Sequence, residues 1–527
     1  MSRNRNDRLV RKTSDRHIRL TGMKEKESNM KEGKVYLVGA GPGDASLLTL
    51  KAETVIRKAD VILYDSLIGD GILSMIPETC RTICVGKRAG RHSVPQSETN
   101  RLILAEAEKG NCVVRLKGGD PFLFGRGGEE LELLAERGIP FEIVPGITSP
   151  IAVPAYNGIP VTHRGFASSL HIITAHRKEG SAETIDFASL AKLEGTLVFL
   201  MGAAALQEIC SGLIHAGMPS DTPAAILEKG TTAEQRRVVA TLETLPEESR
   251  AAGIGTPAII LVGGVCGLSG TFAWAEKRPL AGEKILLMRP RHLIQEFAGR
   301  LRDLGAEVLT VPLISTECIP DNRKISEAVS RLSTYDWVVF TSPTGVRLFF
   351  ETLRDLHCDV RALGSCRIAV IGDGSRRELE KRGLYADLIP AEYNGAALGK
   401  ELASRCSAGT KILIPRAKKG SKELTDALHE FEVDDIPLYE TKELQPELFD
   451  LKECMEAGNV TMAVFTSASM VRSFVSAAPD LDFGSVRATC IGEQTAAAAR
   501  GFGMQVFVAE QASLDSLEQL ILQMHLD

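Results

Sequence analysis

The chain has 527 residues, 44% of them apolar and 25% charged, with a formal charge of −6. That length is too great for one core and points to three or four units of roughly 150 residues. The mildly acidic balance and the lack of any apolar run near the roughly 20 residues that span a bilayer leave neither nucleic acid nor a membrane as an expected partner.

Residues 1–33 hold ten Lys/Arg against five Asp/Glu and show almost no apolar periodicity. They lack the apolar stretch of a secretory signal and are expected to form a disordered, basic leader, with Met23 or Met30 as an alternative start. From Lys34 onward, short apolar runs alternate with helical or glycine-rich segments, at 35–38, 61–64, 113–116, 171–174, 196–201, 224–227 and 258–262. They predict the strands of an α/β architecture. The eleven cysteines are scattered, Cys80 and Cys84 being the closest pair, with no CxxC and no cysteine–histidine cluster. Free thiols in a reducing cytoplasm are expected, and no metal site.

Two glycine-rich loops follow strands. The first, Gly39-Ala40-Gly41-Pro42-Gly43-Asp44, looks like a dinucleotide fingerprint but fails the test. Its third glycine would fall at Asp44, and Pro42 has no N–H for a phosphate. It reads as a ligand loop of another kind. The second, from Val114 to Glu130, holds five glycines, Asp120 and the cations Arg115, Lys117 and Arg126, and a helical pattern follows to Glu136. Glycine lets the backbone approach a ligand closely, and the cations imply an anion nearby.

The pattern lapses after about 268, and 269–282 reads as a linker. An internal repeat follows. Lys284-Ile285-Leu286-Leu287 returns as Lys411-Ile412-Leu413-Ile414, and Val339-Phe340-Thr341-Ser342 returns as Val464-Phe465-Thr466-Ser467. Ala369-Val370-Ile371-Gly372 returns as Thr489-Cys490-Ile491-Gly492. Two similar α/β lobes are expected, with ligand loops at the carboxyl ends of strands and a cleft between the lobes.

At this point a family resemblance can be stated. The segments Val35 to Asp44, Tyr64-Asp65, Gly86-Lys87-Arg88, Gln96-x-Glu98-x-Asn100, Val114 to Glu130, Pro145 to Ser149, Gly158 to Arg164, Leu197 to Gly202 and Asp221 to Ala225 together resemble the uroporphyrinogen-III C-methyltransferases, over about 34–268. The resemblance implies a two-lobed tetrapyrrole-methylase fold with S-adenosylmethionine (SAM) in the cleft between its lobes. On the matching motifs, Pro42, Gly118, Gly119, Asp120, Leu123, Thr148, Ser149, Met201 and Gly230 are expected to line the SAM site. Asp65 stands where the family places a proton acceptor, and Lys87 where it places a proton donor. The implied substrate, uroporphyrinogen III, is an octacarboxylate, and Arg88, Arg115, Arg126 and Arg164 are the candidate cations for it. Taken singly, Asp65 could equally be a turn aspartate and Met201 a core residue. Ser66-Leu67-Ile68 and Pro150 depart from the family pattern, and neither departure touches a glycine loop.

Residues 283–527 resemble the uroporphyrinogen-III synthases on weaker motifs: Phe340-Thr341-Ser342, Ile371-Gly372, Pro437 to Thr441, Phe465-Thr466-Ser467 and Ile491-Gly492-x-x-Thr495. A two-lobed α/β fold with crossing connections is implied, one lobe taking about 283–316 plus 443–527 and the other about 317–442. The implied reaction closes hydroxymethylbilane to uroporphyrinogen III without a cofactor. Tyr439 matches the family's tyrosine and is the candidate to assist the leaving hydroxyl. Thr341, Ser342, Thr466 and Ser467 are the candidate donors to substrate carboxylates. The product of this reaction is the substrate of the N-terminal one. The pair therefore implies one bifunctional enzyme that makes precorrin-2, by methylation at C2 and C7, for siroheme or cobalamin. The family further implies a homodimer through the methyltransferase half. Two other readings stay open: a non-catalytic tetrapyrrole-binding C-terminal module, or a related methyltransferase acting on another precorrin or on RNA.

Overall fold

The computed structural model describes residues 33–77, 79–86, 94–175, 185–288, 295–420, 422–444, 448–456 and 460–526. The expected leader, except Gly33, lies outside the described residues, as do Lys87 and Arg88. Among the described residues, twenty strands form four five-stranded sheets.

The first sheet comprises β1 (Lys34–Gly39), β2 (Val61–Tyr64), β3 (Arg81–Cys84), β4 (Cys112–Lys117) and β5 (Phe141–Val144). All are parallel, in the order β3-β2-β4-β1-β5. β2 is buried along its whole length, and so is β4 from Val113 to Lys117. Strands covered by helices on both faces have this character, and it makes their sequences nearly continuous apolar runs. Parallel strands also end at one edge, so the loops after β1, β2, β4 and β5 share that edge.

The second sheet comprises β6 (Leu170–Thr174), β7 (Thr196–Leu200), β8 (Pro223–Glu228), β9 (Arg236–Thr241) and β10 (Ala258–Val262), in the order β6-β7-β10-β8-β9. Only the β6–β7 pair is parallel. Strands β3, β5 and β9 were not expected from the sequence. β3 and β9 begin with exposed arginines and are half-buried beyond them, and β5 begins with an exposed phenylalanine and buries only Val144, so none reads as an apolar run.

The third sheet holds β11 (Lys284–Leu287), β12 (Glu307–Thr310), β18 (Met462–Phe465), β19 (Arg487–Cys490) and β20 (Gln505–Val508), all parallel. The fourth holds β13 (Ile314–Cys318), β14 (Trp337–Phe340), β15 (Arg367–Val370), β16 (Lys411–Ala417) and β17 (Glu432–Glu443). The sequence repeat is real but exchanged between lobes: β11 shares a sheet with β18 and β19 of the second copy, and β16 lies beside β14 of the first. One crossing falls at 311–313, because β13 pairs antiparallel with β17 and so belongs to the second lobe. The expected boundary near 316 is corrected accordingly.

Segment 269–282 is not a slack linker. Leu280 is fully buried and Ala273 and Ala275 nearly so. Trp274 Nε1 donates to Ala155 O at 2.9 Å, and Arg237 makes a two-point pair with Glu276 at 2.6 and 2.7 Å. The Arg278 guanidinium lies 5.2 Å from the centre of the Trp274 ring.

Candidate active sites

The two glycine loops of the N-terminal half pair with each other. Gly41 N–H donates to Gly119 O at 3.1 Å, and Gly119 N–H returns a bond to Gly41 O at 2.7 Å. Gly119 takes φ +66, which only glycine holds without strain. Gly146, in the loop after β5, completes the knot: a Cβ there would stand 2.3 Å from Gly119 O and 2.8 Å from Gly39 Cα. Three strand ends thus converge on glycine, with no room for a side chain at Gly39 or Gly146. Asp120 fastens them, its Oδ1 accepting from Phe122 N–H at 2.8 Å and its Oδ2 from Gly146 N–H at 3.0 Å.

The second lobe closes against this edge. Asp44 N–H donates to Thr231 Oγ1 at 3.2 Å, and the Tyr156 hydroxyl donates to Asp44 Oδ2 at 2.8 Å. Burial, then the adjacent Asp44 carboxylate, push the Tyr156 phenol well above its ordinary pKa, so it remains a donor. Gly230 lets the helix Ser149–Tyr156 pack against the loop after β8, since a Cβ there would stand 2.2 Å from Val153 Cγ1. Met201 follows β7 at φ +56 and is 53% exposed, as a ligand-facing residue would be and a core methionine would not. Thr148 precedes the helix Ser149–Tyr156 and accepts from Ile151 and Ala152 N–H through its carbonyl. Leu123 is half-buried in the loop after β4. The predicted SAM residues therefore fall on loops at one edge of the first sheet and on the facing loops of the second.

Asp65 follows β2 on the same edge. Its Oδ1 accepts from Leu67 N–H at 3.0 Å, and its Oδ2 lies 3.8 Å from Arg115 Nη2. Arg115, expected to bind substrate carboxylates, is instead 5% exposed and bonded to Glu130. Lys117, equally a cation of the loop, is 6% exposed and bonded to the same carboxylate. Both stand on β4, where a central parallel strand leaves charged side chains no path to water, so they pair inward. Arg126 and Arg164 are exposed, Arg126 gripping Glu129 at 3.0 Å through Nε. Gln96 and Asn100 brace one helix against another: Gln96 Nε2 donates to Glu130 Oε1 at 3.0 Å and Asn100 Nδ2 to Glu129 O at 2.9 Å.

In the C-terminal half, Ser342 and Ser467 cap the helices Pro343–Asp355 and Ala468–Ala477 with nearly the same backbone angles, φ −164 and φ −163. Tyr439 comes from β17 and reaches the first cap, its hydroxyl 2.7 Å from Ser342 Oγ. Its ring belongs to the lobe core, and burial raises its pKa. Thr466 Oγ1 donates to Met470 Sδ at 3.2 Å, and Thr341 precedes the Ser342 cap. Among the described residues no cluster of His, Cys, Asp or Glu could hold a metal ion, and no helix is long and apolar enough to cross a membrane.

Family models match both halves. The model for Tetrapyrrole (Corrin/Porphyrin) Methylases covers residues 34–246, and that for Uroporphyrinogen-III synthase HemD covers 295–519. The porphyrin biosynthesis protein HemD of Ruminiclostridium josui is 42% identical over 496 residues, which is 94% of this chain and 98% of that protein. The uroporphyrinogen-III C-methyltransferase of Bacillus subtilis (strain 168) is 42% identical over 361 residues, 68% of this chain and 74% of that protein. A crystal structure of uroporphyrin-III C-methyl transferase from Thermus thermophilus complexed with S-adenyl homocysteine is 40% identical, covers 44% of this chain and 98% of that one, and has a TM-score of 0.38.

Proposed function

The chain belongs to the family of the porphyrin biosynthesis protein HemD, and from that membership we propose how its two halves divide the chemistry. It is a bifunctional tetrapyrrole-biosynthesis enzyme, a methylase fused to a uroporphyrinogen-III synthase. The C-terminal half closes hydroxymethylbilane to uroporphyrinogen III. The N-terminal half methylates that product at C2 and C7 to give precorrin-2, for siroheme or cobalamin. The observation that carries this reading is one unbroken likeness across both halves, spanning 98% of the relative.

Gly39 and Gly146, where a Cβ would strike the neighbouring loop backbone, and Gly119 at φ +66 form a knot bare of side chains that fits SAM. Pro42, Gly118, Gly119, Asp120, Leu123, Thr148, Ser149, Met201 and Gly230 hold it in this reading. When bound, SAM supplies a methyl group already activated by its sulfonium. The protein's own task is to align the pyrrole carbon and manage the proton that leaves it. Asp65 is proposed as the acceptor of that proton and Lys87 as a donor. Arg88, Arg126 and Arg164 are proposed to meet substrate carboxylates, and Arg115 is withdrawn from that set. In the synthase half, Tyr439 assists departure of the hydroxyl, with Thr341, Ser342, Thr466 and Ser467 offering donors to carboxylates. The proposed cytoplasmic setting agrees with eleven unbridged cysteines. A homodimer through the methylase half is also proposed. The exposed apolar Leu67, Phe122, Phe124 and Ile147 along the loop edge support it, and sedimentation would test it.

The deciding experiment supplies purified protein with hydroxymethylbilane, with and without SAM, and identifies the tetrapyrroles. Uroporphyrinogen III without SAM and precorrin-2 with SAM are expected. Uroporphyrinogen I alone would remove the synthase assignment. Uroporphyrinogen III that stays unmethylated with SAM present would remove the methylase assignment.

A further inference from the structure

Arg115 and Lys117 stand two residues apart on β4, so the alternation of a strand puts both cations on one face. That face is covered by the helix Gly127–Glu136, which supplies Glu130, 1% exposed. Glu130 Oε1 accepts from Arg115 Nε at 3.1 Å, Lys117 Nζ at 2.9 Å and Gln96 Nε2 at 3.0 Å. The far end of the same guanidinium is fixed as well. Its Nη1 donates to Leu116 O at 2.9 Å and to Leu63 O at 3.4 Å, while Nη2 lies 3.8 Å from Asp65 Oδ2. The cluster holds two cations and two carboxylates, and of the two carboxylates Asp65 is the one next to the loop edge. Glu130 Oε2 is buried without a hydrogen-bond partner among the described residues. Fold stability alone accounts poorly for such a cluster, because apolar side chains of similar size commonly serve a sheet interior as well or better.

We propose that Glu130 and Arg115 are positioning residues for methylation: Glu130 orients the Arg115 guanidinium, and the guanidinium holds the Asp65 carboxylate toward the reacting carbon. The inference rests on the reading of Asp65 as proton acceptor. Leu67 N–H fixes one carboxylate oxygen and Arg115 stands by the other, so the carboxylate plane is set from both sides. A base held in this way meets the geometric demand of proton transfer, which small misplacements defeat.

A double-mutant cycle tests it in the full-length enzyme, reading kcat and KM for uroporphyrinogen III, with SAM affinity by calorimetry as the control for folding of the methylase half. Asp65→Asn should lower the methylation kcat by about 100-fold or more, the usual contribution of a general base. Glu130→Gln should lower kcat by about tenfold, leave SAM affinity within about twofold, and add less than about twofold to the Asp65→Asn enzyme, as coupled residues do. Arg115→Lys keeps the buried charge and should recover part of the kcat that Arg115→Met loses, so the idea stays testable if Glu130→Gln folds poorly. Losses that multiply in the double variant, or an equal kcat in Arg115→Lys and Arg115→Met, would overturn the positioning role while leaving Asp65 as base. Wild-type kcat in Asp65→Asn would overturn the base itself, and the positioning role with it.

Discussion

The Tyr439 hydroxyl lies 2.7 Å from Ser342 Oγ, which also accepts the Gly345 N–H at 2.9 Å as the cap of its helix. The equivalent cap in the other lobe, Ser467, bonds Ser469 and the Met470 N–H and meets no tyrosine. Two serines in matching repeat positions therefore have unequal duties. Ser467→Ala should cost about 1 kcal/mol, the loss of a helix cap. Ser342→Ala should cost about 2–3 kcal/mol, because it also strands a buried phenol. Urea unfolding of both variants checks the order, and equal losses would mean the tyrosine finds another partner. Tyr439→Phe keeps the cap and should slow ring closure by about tenfold, the worth of one hydrogen bond to a leaving group.

The glycine knot makes a prediction about space. Ala at 146 would force its Cβ to 2.3 Å from Gly119 O, a backbone atom that cannot move without breaking the Gly41–Gly119 pair. Gly146→Ala should therefore abolish SAM binding and leave ring closure intact. Gly128 lies in the same stretch, but no atom stands within 4 Å of its Cβ position, inside the helix Gly127–Glu136. Gly128→Ala, in the first turn of that helix, should stabilise by about 0.5 kcal/mol, the low end of what alanine gains over glycine in a helix. Calorimetry with SAM and thermal melts of both variants separate the two glycines.

Asp120 was expected to touch the ligand, but each of its oxygens already accepts a backbone N–H. Asp120→Ala should lose SAM binding chiefly by releasing the Gly146 loop, while ring closure continues. Loss of both activities would mean that the halves do not act independently.

Much of this arrangement was legible because its signals are local. The apolar runs of β2 and β4 and the Thr-Ser caps at 342 and 467 each lie within a few residues of chain. The meeting of Gly41 with Gly119 and Gly146 is set by strand order, which no short motif encodes. Arg115 and Lys117 misled for a related reason: a cation beside a glycine loop reads as a ligand contact until Glu130, 15 residues from Arg115, is brought beneath it. Two charges inside an otherwise apolar parallel strand were the available warning, since such charges need buried partners. The supposed linker read as a lapse because its order comes from Trp274 and Arg278 resting on Ala155 and Tyr156, more than a hundred residues away.

Cysteine reactivity offers a test of burial. Burial pushes the Cys80, Cys210 and Cys454 thiols up to about 11, and Cys266 and Cys490 up to about 12. At pH 8 their thiolate fraction is about one in a thousand or less, and the thiolate is the nucleophile. Iodoacetamide should spare all five in the native protein and modify them after unfolding, as read by peptide mass spectrometry. Labelling of Cys80, Cys210, Cys266 or Cys490, the four that are buried, under native conditions would show that its core opens locally.

The joint between the halves makes the last prediction. Lys284, 5% exposed, donates to Asp70 Oδ2 at 2.9 Å and lies 3.3 Å from Glu307 Oε1, while Glu307 Oε2 accepts the Ala233 N–H at 2.9 Å. One lysine of the C-terminal half is thus linked to both lobes of the N-terminal half. Thr310 Oγ1 donates to Ser74 Oγ at 3.1 Å across the same seam. Burial works against the Lys284 ammonium, but Glu307 and Asp70 outweigh it and hold its pKa above the ordinary value. A raised lysine pKa contributes stability that is complete below the unfolded value of 10.5 and is lost as pH rises through the folded value. Lys284→Met should cost about 2 kcal/mol, less than a fully buried pair because Asp70 is partly exposed. The variant should also lose the wild type's stability decline above pH 10.5 that this lysine causes. Urea titrations at pH 8 and pH 11 decide it: a gap between wild type and Lys284→Met that does not narrow at the higher pH would mean the joint is held by packing and not by this charge.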